Sequence, residues 1–228
     1  MDYVIREGVG CIRTELKYGT ITITRNSHHM VRLRADELTE NCMRIFAYNN
    51  VLHIKCISPY PANMELLVPD SVKMLDLNSE SCNLVLEDIE LDTLTASSGG
   101  ELDLTNVTIK KSCKLSVDNA DIILKACDLM SMNLELYDGT LDFQNTVLHG
   151  NNTAFMKNAM VRGKLKGALV DYVVSAGYGI SPDNVIVNDH LLSEFPNRKN
   201  VQNCAWLLLA GSMKNTARLT IQKPRMRY

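Results

Sequence analysis

The chain has 228 residues, 46% of them hydrophobic and only 6% aromatic, and a formal net charge of −2. This composition excludes a disordered or low-complexity chain and requires an aliphatic core of Leu, Val, Ile and Met. No apolar stretch approaches the ~18 residues that a membrane-spanning helix needs, and the start, MDYVIRE, shows no basic segment leading into an apolar one, so neither a span nor a cleavable signal is expected.

Residues 3–58 contain short β-like runs, YVIRE, GTITITR, MVRLRA and VLHIKCI. Turn formers break them at Tyr18-Gly19, Asn26-Ser27 and Asn49-Asn50. They read as irregular entry strands that cover the open edge of whatever follows. Ser58 to Asp70 holds three of the six prolines and reads as a corner.

From residue 72 the chain repeats itself: VKMLDLNSESCNLVLEDIE (72–90), LDTLTASSGGELDLTNVTI (91–109), KKSCKLSVDNADIILKACDL (110–129) and MSMNLELYDGTLDFQNTVL (130–148), with a degenerate copy over 149–169. Aligned leucine to leucine, one column is Leu75, Leu94, Leu115 and Leu134, and the next is Leu77, Ala96, Val117 and Leu136. A second strand supplies Leu84, Leu102, Ile122 and Leu141, then Leu86, Leu104, Leu124 and Phe143; a third column is Leu91, Ile109, Leu129 and Leu148. Beyond Leu169 come DYVVSAG, VIVND, AWLLLAG and ARLTIQ, interrupted by a polar stretch over 189–203, and Trp206 reads as part of an end cap.

Within each copy apolar residues alternate with Asp, Thr, Ser or Glu, the period-two pattern of a half-buried strand. Asn78-Ser79, Ser97 to Gly100, Asp118-Asn119 and Asp138-Gly139 supply the tight corners between strands. One copy alone can neither bury its apolar side nor pair its edges. Stacking achieves both, and each buried Leu or Val contributes roughly 1.5–3 kcal/mol. The predicted fold is therefore all-β: a single-stranded β-helix or β-solenoid with rungs of about 19–20 residues, capped by irregular β segments. It forms one domain over 1–228, with entry strands in 1–71, rungs in 72–169 and C-terminal strands and cap in 170–228.

The corner S-S-G-G-x-L-x-L (Ser97 to Leu104), the early Y-G-T-I-T-I (Tyr18 to Ile23), the late L-K-G-A-L-V-D-Y-V-V-S-A-G-Y-G (Leu165 to Gly179) and the closing G-S-M-K-N-T-A-R-L-T-I (Gly211 to Ile221) together resemble the bacterial putative-adhesin family of β-strand-repeat domains, a family of unknown function. The resemblance implies a β-helix-like solenoid in bacteria such as Gram-positive gut organisms, linked by name to adhesion or envelope stress, and brings no catalytic residues with it. Most corners here depart from S-S-G, carrying S-E-S-C, D-N-A-D or Y-D-G-T instead.

Charge is distributed unevenly. Residues 1–71 carry eight basic and eight acidic side chains, residues 72–148 five and fourteen, and residues 149–228 eleven and four. An acidic flank suits cationic partners and a basic end suits anionic ones. The candidate partner-binding residues are Asp76, Glu135, Asp103 and Asp142 on the acidic part and Lys164 and Lys166 on the basic part. Lys157 and Arg162 join the last two, as does the basic tail Lys223 to Tyr228. Asp103 and Asp142 fall in one outward column with Val85 and Ile123, about 9.6 Å apart at ~4.8 Å per strand, too far to share a small cation or a proton.

His28-His29 reads as an exposed turn, because adjacent strand residues point to opposite faces and no third ligand follows at fixed spacing. Ser97 to Gly100 is no phosphate loop, since neither a lysine nor a helix start follows it. The seven cysteines, odd in number and without a C-x-x-C pair, read as small buried hydrophobes in a reducing compartment. No catalytic residue, metal site or cofactor is assigned. Basic residues are not interleaved with stacking aromatics, which argues against nucleic acid. The expected function is that of a non-enzymatic, adhesin-like binding module for a protein or cell-envelope polymer. An intracellular scaffold or sensor in an envelope-stress pathway and a degenerate carbohydrate-active β-helix are the alternatives. Location is expected to be cytoplasmic, or the cell surface through an unrecognised export route.

Overall fold

The computed structural model describes residues 2–5, 8–58, 60–169, 172–195 and 204–222. In chain order the elements are β1 (Asp2–Ile5), β2 (Cys11–Arg25), β3 (Val31–Ala35), α1 (Glu37–Cys42), β4 (Met43–Tyr48), β5 (Val51–Cys56), β6 (Ala62–Val68) and β7 (Met74–Glu87). The middle holds β8 (Glu90–Ser98), β9 (Leu102–Thr105), β10 (Thr108–Asp118), β11 (Ile122–Lys125), β12 (Asp128–Met130), β13 (Met132–Tyr137) and β14 (Thr140–His149). The last are β15 (Asn151–Lys166), β16 (Tyr172–Ala176), β17 (Val185–Val187), β18 (His190–Leu191), β19 (Ala205–Met213) and β20 (Ala217–Gln222).

Parallel pairing arranges these strands in walls. The first wall runs, in spatial order, through β5, the first half of β2, the first half of β7, β8, β10, β13, the first half of β15, β19 and β16. The second runs through β6, the second halves of β2 and β7, then β9, β11, β14, the second half of β15, β20 and β17. A short third wall joins the starts of β8 and β10 to β12 and the end of β14. Because β2, β7 and β15 bend through both long walls, the sheet wraps around its own interior. Every second side chain turns inward, and one aliphatic cluster extends from Val9 to Ile221.

The all-β prediction holds, but the single-stranded β-helix or solenoid does not: the parallel strands enclose the core as a closed barrel with outer strands. Chain order and spatial order disagree at both ends. Strand β2 is no irregular cap but an internal member, flanked by β5 and β6 on one side and β7 on the other. Likewise β19 and β20 lie directly on β15, and β16 and β17, earlier in sequence, lie beyond them. Outer strands run antiparallel: β1 on β3, β3 on β6, β4 on β5 and β18 on β17. Two lengths of matched alternating sequence can exchange places in a stack without changing which residues face inward, so periodicity alone does not encode the order.

Registers of the central strands refine the sequence columns. Leu84, Leu102, Ile122 and Leu141 are paired neighbours, as are Leu91, Ile109, Leu129 and Leu148. The first column is off by two: Leu94 pairs with Cys113, and Leu115 with Ala96. The cause is a bulge in β10 between Ile109 and Ser112, where Lys110 and Lys111 oppose the single Asp92 of β8. Cys113, fully buried, takes the place between Leu94 and Met132 that a leucine-to-leucine alignment overlooks.

Corners between the second and third walls stack as well. Asp88, Asn106, Ala126 and Asn145 all adopt left-handed backbone with φ between 51° and 58°. Asn106 Nδ2 donates to Asp88 Oδ1 at 2.6 Å, and the N–H of each of Asp88, Asn106 and Ala126 donates to a carbonyl of the next course. Asn and Asp tolerate this conformation; the β-carbon of Ala126 makes it the strained member of the column.

Candidate functional site

The β14–β15–β20 part of the second wall is built on a tight approach of backbone to backbone. Phe143, the largest fully buried side chain, pairs in register with Gly163, which pairs in turn with Leu219. Gly163 has φ +126°, and a β-carbon there would lie 2.1 Å from the Phe143 carbonyl oxygen. Glycine at this inward position makes room beneath the ring and lets β15 run past β14 with its neighbours facing outward. Those neighbours are Arg162 and Lys164.

Arg162 pairs in register with Asp142 on one side and Arg218 on the other. Its guanidinium meets Asp142 at 3.2 Å, and no ion pair to Arg218, Lys164 or Lys166 is present among the described residues. Arg162 and Arg218 therefore stand one strand spacing apart, about 4.8 Å, and the one carboxylate beside them, Asp142, lies on the far side of Arg162 from Arg218. Like charges directly opposite on a sheet are unfavourable unless an anion joins them. Lys164 follows two residues on, about 6.7 Å along the strand, and Lys166 as far again, and Thr220 and Gln222 lie beside them on β20. Four cations thus share one flat outer face.

The predicted partner residues do not converge. Asp76 and Glu135 lie on the first wall, where Asp76 accepts from Arg13 Nε at 2.7 Å and Glu135 sits between Ser116 and Phe155. Asp103, Asp142, Lys164 and Lys166 lie on the second wall. Asp103 and Asp142 flank Ile123 in register. Their carboxylates have separate partners, the Thr105 hydroxyl for Asp103 at 3.1 Å and Arg162 for Asp142, and they form no joint site. Lys157 belongs to the first wall, its ammonium 5.8 Å from the Tyr137 ring centroid. The tail from Lys223 to Tyr228 lies outside the described residues, as do 196–203 of the polar stretch and Pro59 of the proline-rich corner. Arg218 is the member that sequence reasoning missed. It is 56 positions from Arg162, and only the out-of-order stacking of β20 on β15 brings the two together. The matching alternation of VRGKLK and ARLTIQ was the available signal.

Other candidates are weaker or absent. A groove of about 680 Å³ under β3 is lined by Thr20, Thr22, Asn63 and Glu65, but its Arg34 is held by Glu65 at 2.9 Å and Asp2 at 3.9 Å. His28 and His29 do lie in a turn, pinned by Asn26, whose side chain accepts from the His28 N–H and donates to the Met30 carbonyl. Trp206 is half-buried on the outer face of the first wall between Asn151 and Val173. Among the described residues no group of three His, Cys, Asp or Glu side chains is placed to hold a metal ion. Burial pushes the thiols of Cys82 and Cys127 up to about 11 and that of Cys113 up to about 12, so they stay protonated and unreactive near neutrality.

No family model matches the chain, and no curated protein does. Similar solved structures include a putative lipid binding protein from Parabacteroides distasonis, 9% identical over 98% of this chain and 96% of that one, with a TM-score of 0.48. They also include a putative adhesin from Bacteroides fragilis, 11% identical over 97% and 95%, TM-score 0.41. A third is a putative cell adhesion protein from Clostridium sporogenes, 12% identical over 98% and 99%, TM-score 0.33. Likeness at these values carries no functional assignment.

Proposed function

We infer that this chain is a binding module whose cationic face, Arg162, Lys164, Lys166 and Arg218, holds an anionic partner, either an acidic segment of a protein or an acidic envelope polymer. The observation that supports it is the direct opposition of Arg162 and Arg218, with Asp142 on the far side of Arg162 and no ion pair to Arg218 among the described residues. A rigid wall holds the charges at fixed spacing, so an extended anion meets them without reorganising the protein, which lowers the cost of association. Each contact is solvent-exposed and individually weak, and affinity comes from several acting together.

The test is a titration of the full chain with two labelled probes, poly-glutamate and poly(glycerol phosphate), read by fluorescence anisotropy at several salt concentrations. Binding should tighten as salt falls, because the Debye length grows from ~8 Å to ~30 Å between 0.15 and 0.01 M. The double variant Arg162→Gln/Arg218→Gln should weaken it about tenfold or more, about 1.4 kcal/mol, while Lys111→Gln leaves it unchanged. Which probe binds distinguishes protein from polymer. Equal affinity of wild type and double variant for both would remove the basis for this reading.

A further inference from the structure

Strand β4 is the outermost strand of the first wall at its N-terminal end, paired with β5 on one side only among the described residues. An unpaired strand edge presents a row of free backbone donors and acceptors, and proteins ordinarily blunt such edges with Pro, Lys, a bulge or a cover. Strand β4, MRIFAY, carries no Pro, Lys or bulge, its one charge is Arg44, and no strand covers it among the described residues. The last strand of the second wall, β17, is by contrast covered by β18. The outer face of β4 is apolar as well: Phe46 is 55% and Tyr48 70% exposed. Phe46 stacks on His53 with centroids 4.6 Å apart, and Tyr48 continues through Val51 and Cys11 to Met74, which is 46% exposed.

Charge selects the occupant. Arg44 pairs in register with Lys55, and Lys55 is already ion-paired with Glu15. No ion pair to Arg44 is present among the described residues, so the edge carries one uncompensated cation followed on the same face by two aromatics, Phe46 and Tyr48. We propose that β4 accepts an extended polypeptide strand from a partner protein, antiparallel and in register, with an acidic residue opposite Arg44 and β-branched or aromatic residues over Phe46 and Tyr48. Main-chain hydrogen bonds supply affinity and the single acid supplies register. A second copy of this chain fits less well, because β4 itself offers no acidic residue to set opposite Arg44.

The probe is a seven-residue β-branched peptide with one glutamate at its sixth position, so that it spans 43–48 when the acid lies opposite Arg44, compared with its lysine counterpart against the full chain. The glutamate peptide should bind and slow hydrogen exchange at the amides of 43–48. Arg44→Glu, an exposed change that leaves the circular dichroism intact, should lower its affinity about tenfold and reverse the preference toward the lysine peptide. Absence of protection at 43–48, or a preference that Arg44→Glu does not reverse, would overturn the proposal. So would a dimer in sedimentation that Phe46→Ser dissolves, since the edge would then belong to a second copy. None of these outcomes depends on the cationic face of the second wall.

Discussion

In the central strands, Lys110 reaches Glu90 and Lys111 reaches Asp92 across one strand spacing, and His149 Nε2 meets Asp128 at 2.8 Å. In the C-terminal strands the same kind of spacing sets Arg162 against Arg218. Both regions use the same alternating pattern and the same inward aliphatic core. The difference lies outside. Where neighbouring strands offer opposite charges, the surface completes itself; where they offer like charges, it remains open to an outside anion. The two regions also differ in order, since the central strands stack as they are written whereas β19 and β20 are inserted ahead of β16 and β17.

One continuous core underlies both regions. Leu104, with no exposure, pairs between Leu86 and Leu124. Leu104→Asp should therefore unfold the whole chain, a loss exceeding ~4 kcal/mol, visible as loss of the cooperative melt in circular dichroism. A variant in which only the central strands lose protection would show two separable regions.

Alkali should strike the centre first. Cys82 and Cys113 lie in central strands and Cys127 in the corner between β11 and β12, and burial holds their thiols at about 11 to 12 against 9.0 for an exposed thiol. The unfolded chain releases these protons at lower pH than the folded one. The stability they contribute is complete below about pH 9 and is lost as pH rises toward about 12. Melting temperature should fall steeply across that window, and replacing all three with Ala should flatten the fall.

Asn152 joins the two regions. Its Oδ1 accepts from the Met132 N–H at 2.8 Å and its Nδ2 donates to the Trp206 carbonyl at 3.0 Å, linking a strand written before it to one written far later. Asn152→Ala strands buried partners on both sides and should cost about 2–3 kcal/mol in urea unfolding. Within the centre, Ala126→Asn should instead stabilise by about 0.5–1 kcal/mol, because it places a left-handed-tolerant residue between Asn106 and Asn145.

The smallest effect separates the regions most cleanly. Arg218→Gln relieves like-charge contact and should raise stability by about 0.2–1 kcal/mol at low salt, and the gain should fade as salt is added. Lys111→Gln, which breaks a pair with Asp92, should move the melting temperature the other way.

Much of this architecture was legible in residues. Period-two alternation gave the strands and the inward columns at Leu84 and Leu91, and the Asn and Asp corners marked the turns. The slip at Leu94 was not legible, because a bulge at Lys110-Lys111 changes register without changing composition. Nor was the order of the end strands, since VRGKLK accepts ARLTIQ as a neighbour as readily as any other alternating run. The candidate site inherits that blindness: Lys164 and Lys166 stood out as basic residues, but Arg218 enters only through stacking.

The most direct measurement of the central claim is a two-dimensional amide spectrum of the full chain, recorded during titration with a bound polyanion. Shift changes should be confined to residues around Arg162, Lys164, Lys166 and Arg218, with the paired charges at Glu90, Asp92, Lys110 and Lys111 unmoved. Changes spread evenly over exposed lysines, or centred on the paired strands, would contradict the claim.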